Sequence, residues 1–145
     1  MKGLILAGLA GLSLLAGGAR PAATQDGFIL IVNQANPVVS LRAAEVSRLF
    51  LRKQTRWPNG QLVEPVDQVE SSPTRRHFSD AVHGMDVPSV YSYWQEIVFS
   101  GRGEPPPERA SDAEVVAFVR GHVNAFGYVS PAAALSGVKV LTLAR

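Results

Sequence analysis

The chain predicts an α/β domain: a three-layer sandwich in which a mixed, mainly parallel sheet is flanked by helices. Three observations carry this expectation. Phe28–Asn33 (FILIVN) is an unbroken apolar run of strand length, as expected of a strand covered on both faces. Two further apolar runs, Phe126–Val129 and Val138–Leu143, close the chain. Between them lie segments with helical periodicity, in the order β-α-β-α-α-α-β-α-β, which calls for helices on both sides of one sheet.

Each element has a local reason. Asn36-Pro37 ends the first strand, and Ser40 is expected to cap a helix to about Leu51, with Val46, Leu49 and Phe50 on its inner face. Pro58-Asn59-Gly60 is turn chemistry, and Leu62–Val66 reads as the second strand. Ser72 then suits an N-cap and Pro73 the N1 position. Phe78, Ala81 and Val82 mark the buried side of that helix, and Gly84 its stop. Asp86 opens a third helix with Val90, Trp94, Ile97 and Val98 on one stripe. Gly101–Arg109, with three prolines, reads as a semi-extended loop. Ser111-Asp112-Ala113-Glu114 is a capping box leading into Val115, Phe118 and Val119, and Gly121 ends that helix. Pro131–Leu135 reads as a helical turn before the last strand.

Residues 1–23 read as an export signal. Met1-Lys2 is a positive start, Leu4–Ala16 an apolar core, and the small residues around Ala19 and Ala23 offer cleavage sites. Cleavage after Ala23 leaves 24–145 as a single domain; cleavage after Ala19 and an uncleaved anchor are the alternatives. The expected location is periplasmic or secreted, with no membrane span after processing. The sequence has no cysteine, which excludes a disulfide framework and a lipoprotein anchor. The whole chain carries 14 Lys+Arg against 12 Asp+Glu, but Lys2 and Arg20 leave with the signal. A neutral mature protein gives no reason to expect nucleic acid as a partner.

Chemistry concentrates at one place. Leu62–Phe78 delivers a strand and an acidic turn to a helix start crowded with hydroxyls and guanidinium groups: Ser71, Ser72, Thr74, Arg75 and Arg76. Free N–H groups and the positive helix end make such a start attractive to an anion. The plainer alternative is a well-capped surface helix with solvated arginines. His77, His83 and His122 lack metal-ligand spacing and read as surface residues, so no metal site is expected. No nucleophile motif, phosphate loop or dinucleotide fingerprint is present. The carboxylates Glu64, Asp67 and Glu70 include no oriented general base. Neither an enzyme nor a cofactor is expected.

Taken in order, these residues resemble a family. FILIVN, the helix ending Leu49-Phe50-Leu51, Thr55-Arg56-Trp57, and Ser72-Pro73-Thr74 followed by Phe78 resemble the phosphate-binding periplasmic proteins of ABC transporters, where a Ser-Gly-Thr helix start grips phosphate. Ala125-Phe126-Gly127-Tyr128-Val129 is similar to an Ala-Ile-Gly-Tyr strand of the same domain. The likeness runs from about Phe28 to Leu143 and implies one lobe of a two-lobed fold. It also implies phosphate or a similar oxyanion as ligand at Ser71–Arg76, and a link to phosphate transport. Two positions depart from the pattern: Gln68 stands where the family has arginine, and Pro73 replaces the glycine and deletes an N–H. With the second lobe missing, the face it would cover suits a homodimer or an envelope protein partner. The competing expectation is a scaffold or interaction module without a small ligand.

Overall fold

The computed structural model describes residues 27–144, and the proposed signal lies outside them. Strand β1 (Ile29–Asn33) is the centre of a five-stranded sheet whose other members are β2 (Ser40–Arg42), β3 (Glu64–Pro65), β6 (Ala125–Val129) and β7 (Val138–Ala144), in the order β2-β7-β1-β6-β3. β1 is antiparallel to both neighbours, with Ile31 opposite Gly127 on one side and Val140 on the other. The edge strands β2 and β3 pair in parallel, so the sheet is mixed and its parallel pairings lie at the rims.

Alternation along β1 and β6 splits the core in two. Leu30, Val32, Phe126 and Tyr128 face one way and pack with Phe50 of α1 (Ala43–Phe50) and Phe78 of α2 (Pro73–Phe78). Ile31, Ala125 and Val129 face the other way and meet Val115, Val116 and Val119 of α4 (Asp112–Gly121). Helices thus cover both faces, giving the three layers. The first core is rich in aromatic contacts: Phe78 stacks on Tyr128 with centroids 3.9 Å apart, and Phe50 meets the edge of Phe126 at 4.5 Å.

Several elements differ from expectation, each for a physical reason. Ser40 does not cap α1. Ser40–Arg42 pairs with Thr142–Ala144 and buries Leu41, and the cap falls to Arg42, whose N–H donates to Glu45 at 2.9 Å. Sheet pairing here outweighs the local preference of serine for a cap. Leu62–Val66 keeps only Glu64–Pro65 as strand; the chain turns at Val66 and starts a separate two-stranded sheet, β4 (Asp67–Gln68) with β5 (Glu108–Arg109). That second strand emerges from a stretch expected to be wholly loop. Beyond α2 the helix widens into a π-helical turn, Ser79–His83, in which Ser79 and Val82 are buried and Ala81 is exposed. Gly84 then ends it with φ 63°, a conformation glycine takes without strain. Pro131–Leu135 is a non-helical turn, closed by the Ala133 N–H to the Ser130 carbonyl at 3.1 Å.

α3 (Val87–Phe99) starts at the Asp86 cap, which accepts from the Ser89 N–H at 2.8 Å, and buries Val90 and Trp94 against Leu51. The Ser111 cap forms, with Ser111 Oγ accepting from the Glu114 N–H, but the expected capping box is shifted by one residue: the Glu114 carboxylate accepts from the Ala110 N–H rather than from that of Ser111. Among the described residues no helix is long and apolar enough to cross a membrane.

Candidate functional site

The start of α2 is built by its N-cap. Ser72 has extended backbone angles, and its Oγ accepts from the Arg75 N–H at 3.2 Å while donating to Gln68 Oε1 at 2.5 Å. Pro73 has no N–H, and the Arg76 N–H donates to the Ser72 carbonyl at 3.3 Å. The Thr74 N–H is the remaining donor of the first turn. Thr74 itself is buried, whereas Ser71 and Arg76 are exposed.

Arg75 decides the character of the site. Its side chain is 2% exposed and turned inward. Nη1 donates to the Gln68 carbonyl at 2.6 Å, to Tyr91 Oη at 3.1 Å and to Glu108 at 3.0 Å, and Nη2 lies 3.3 Å from Asp67. The guanidinium also lies over the Tyr91 ring, 4.8 Å from its centroid. Asp67 accepts from Tyr128 Oη and from the Gln68 N–H. Burial pushes the Asp67 carboxyl upward, against the pull of Arg75 and these donors. Desolvation, reinforced by the bond to Glu108, pushes the Tyr91 hydroxyl up to about 12, so it stays protonated and donates to Glu108 at 2.6 Å. Within the network Arg75 Nε is buried without a hydrogen-bond partner among the described residues.

Gln68 extends the network on its other side. Its Nε2 donates to the Tyr128 carbonyl at 2.9 Å and to Asp112 at 3.3 Å, and Asp112 in turn accepts from the N–H and hydroxyl of Ser130. One polar chain, buried at Asp67, Gln68 and Arg75 and reaching the surface at Glu108, therefore joins β4, α2, α3, β5, α4 and β6. Of the five candidate residues, the structure brings together Ser72, Thr74 and Arg75. Ser71 and Arg76 flank them at the surface, with Glu70 also exposed beside them.

Sequence reasoning did not pick out Asp67, Tyr91, Glu108 and Tyr128 as partners of Arg75. One signal was available: Arg75, Phe78, Ser79 and Val82 share a helical stripe, which places the arginine on the buried side. His83, expected at the surface, is instead packed at the edges of Phe50 and Phe78, with Nδ1 2.8 Å from Ser47 Oγ. Desolvation first, then Arg75 and Lys53, lower its pKa to about 4 and keep the ring neutral. Among the described residues no group of three or more His, Cys, Asp or Glu side chains is arranged to hold a metal.

The fold is that of one lobe of the phosphate-type substrate-binding proteins of ABC transporters. Over 81% of this chain it is similar to an ABC-type phosphate transport receptor from Vibrio cholerae, with 21% identity, a TM-score of 0.65 and 46% of that chain covered. A substrate-binding protein from Clostridium perfringens, solved with bound phosphate, gives 21% identity and a TM-score of 0.66 over 81% of this chain and 45% of its own. A possible phosphate-binding protein from Planctomyces limnophilus gives 16% identity and a TM-score of 0.58, with 82% and 42% covered. The chain thus spans less than half the length of these structures. No family model and no curated protein matches the sequence.

Proposed function

We propose that the chain works as an exported, non-catalytic docking module of the cell envelope, built on the fold of one phosphate-binding-protein lobe. The observation that carries this reading is the closure of Arg75. The Arg75 guanidinium, turned into the helix start, is held by Asp67 and Glu108, with Gln68 and Tyr91 completing its contacts. Around that start stand three carboxylates, Asp67, Glu70 and Glu108, against two guanidiniums, Arg75 and Arg76. An approaching oxyanion therefore meets no surplus of positive charge. The polar groups do architectural work, tying the 100–109 segment to the helix layer, and leave recognition to the surface.

A second reading keeps phosphate or a similar oxyanion as the ligand, and with it a role linked to phosphate ABC transport. It is favoured by one observation: the Thr74 N–H takes no part in the Ser72 cap, and Ser71 and Arg76 are exposed beside it. A one-sided, water-exposed seat of this kind gives a dissociation constant of about 0.1–1 mM. Titrating inorganic phosphate against the 24–145 protein at assigned amides separates the two. Unmoved resonances at residues 71–76 through several millimolar support docking. Saturable shifts that vanish in Thr74→Ala establish the oxyanion seat instead. Export is tested by N-terminal sequencing of the native protein, where a start at Thr24 is expected and intact Met1 counts against it.

A further inference from the structure

The end of α1 carries a feature that neither the fold nor the helix-start network explains. The Arg52 N–H donates to the Leu49 carbonyl and the Lys53 N–H to the Arg48 carbonyl, at 3.3 and 2.9 Å, which is the paired bonding of a Schellman helix end with Arg52 at C′. That position is left-handed, and Arg52 has φ 53°, the only positive φ outside glycine among the described residues. Glycine meets this geometry without strain and a side chain does not. A strained residue of this type points to work done by its side chain.

Arg52 lines a groove of about 480 Å³, within the ordinary size of small-ligand sites. Leu62, Pro65, Pro107 and Phe118 give the groove an apolar wall, and Leu62 is 55% exposed there. Glu64 lines the same groove, and neither Glu64 nor Arg52 belongs to any ion pair among the described residues. The groove follows the sheet edge at β3, but strand addition is not what it offers. Pro65 has no N–H, and the N–H groups of Val63, Glu64 and Val66 already donate to Thr55, Asn124 and Phe126.

The geometry points to a binding site for a small zwitterion with apolar side chains, of amino-acid or dipeptide size. The ligand carboxylate pairs with Arg52, its amino group with Glu64, and its side chains cover the apolar wall. Charge complementarity selects this class: a purely anionic ligand is repelled by Glu64, a purely cationic one by Arg52, and a neutral one leaves both unmatched. The assignment is independent of the phosphate titration, which reads residues on the helix start.

The test uses L-leucyl-L-leucine as the probe on the 24–145 protein. Saturable shifts are expected at the amides of Arg52, Leu62, Glu64 and Phe118, with residues 71–76 unmoved. Arg52→Gly is expected to weaken binding at least about tenfold while raising the thermal midpoint by a few degrees, because the strain is released. These opposite signs separate loss of the site from loss of the fold. Glu64→Gln weakens the free dipeptide but not its N-acetyl form, and amidating the carboxyl end abolishes dependence on Arg52. The assignment is overturned if the groove amides stay unmoved to about 20 mM, beyond the range of specific weak binding. It is equally overturned if Arg52→Gly binds as the parent does, or if that variant is less stable.

Discussion

Arg75 Nη2 lies 3.3 Å from Asp67 Oδ2, and both side chains are almost wholly out of water, at 2% and 7% exposed. A charge pair so placed adds little net stability when whole, because desolvation of both ions offsets their attraction. Its significance is the cost of breaking it, since Asp67 would stay buried with only Tyr128 and a backbone N–H to satisfy it.

Arg75→Met should therefore cost about 3–5 kcal/mol. Adding Asp67→Asn should recover part of that loss, because the stranded carboxylate is removed. Urea midpoints for the two single variants and the double variant measure it. Additive losses would mean that the two residues act separately and that the Glu108 contact dominates.

The two serine caps provide a matched pair. Ser111→Ala and Ser72→Ala should each cost about 0.5–2 kcal/mol. Ser72 should sit at the upper end because its hydroxyl also donates to the buried Gln68. Denaturant midpoints in phosphate-free buffer give the comparison, and a Ser72 variant as stable as the parent contradicts the cap.

His83 sets a pH dependence. Folded, its pKa is lowered to about 4, against about 6.5 for a free imidazole. Between these values the unfolded chain binds the proton more readily than the folded one, so this contribution to stability rises with pH. It is fully present above pH 6.5 and is lost as the pH falls toward 4, a total of about 3 kcal/mol. Urea midpoints from pH 4 to 7.5 should fall more steeply on the acid side for the parent than for His83→Gln. Parallel curves would show that the ring is not held neutral.

Much of this fold was legible because its signals are local or periodic. FILIVN, the Ser72 and Ser111 caps, and the stripe Val90–Trp94 each act within a turn or two of chain. What escaped depends on residues brought together from afar. Ser40 became strand because Thr142–Ala144 supplies a partner a hundred residues away. Arg75 was read as a possible anion ligand because its partners Glu108 and Tyr91 sit on a segment that reads as loop and on a different helix. The groove at Arg52 was equally hidden: an αL arginine has no sequence mark, since only the completed helix end defines its φ.

Gly127 tests how tightly the sheet and its outer helix fit. It lies in β6 opposite Ile31, and a Cβ built there would stand 2.7 Å from Val66 Cγ1, 2.9 Å from Val115 Cγ1 and 3.3 Å from the Val66 carbonyl. The first two contacts are shorter than any relaxed packing, and the third is backbone. Valine is stiff about χ1, so neither neighbour retreats freely. Gly127→Ala should then cost about 1–3 kcal/mol despite the better intrinsic strand preference of a residue with a side chain. Trimming one neighbour should ease the strain. Val115→Ala alone leaves a cavity under α4, but combined with Gly127→Ala the new methyl partly fills it, and the double variant should lose at least about 0.5 kcal/mol less than the sum of the two singles. Urea midpoints decide this with four proteins. A Gly127→Ala variant within about 0.5 kcal/mol of the parent would show that α4 can shift outward, and that the Val115–Gly127 contact does not fix its distance from the sheet.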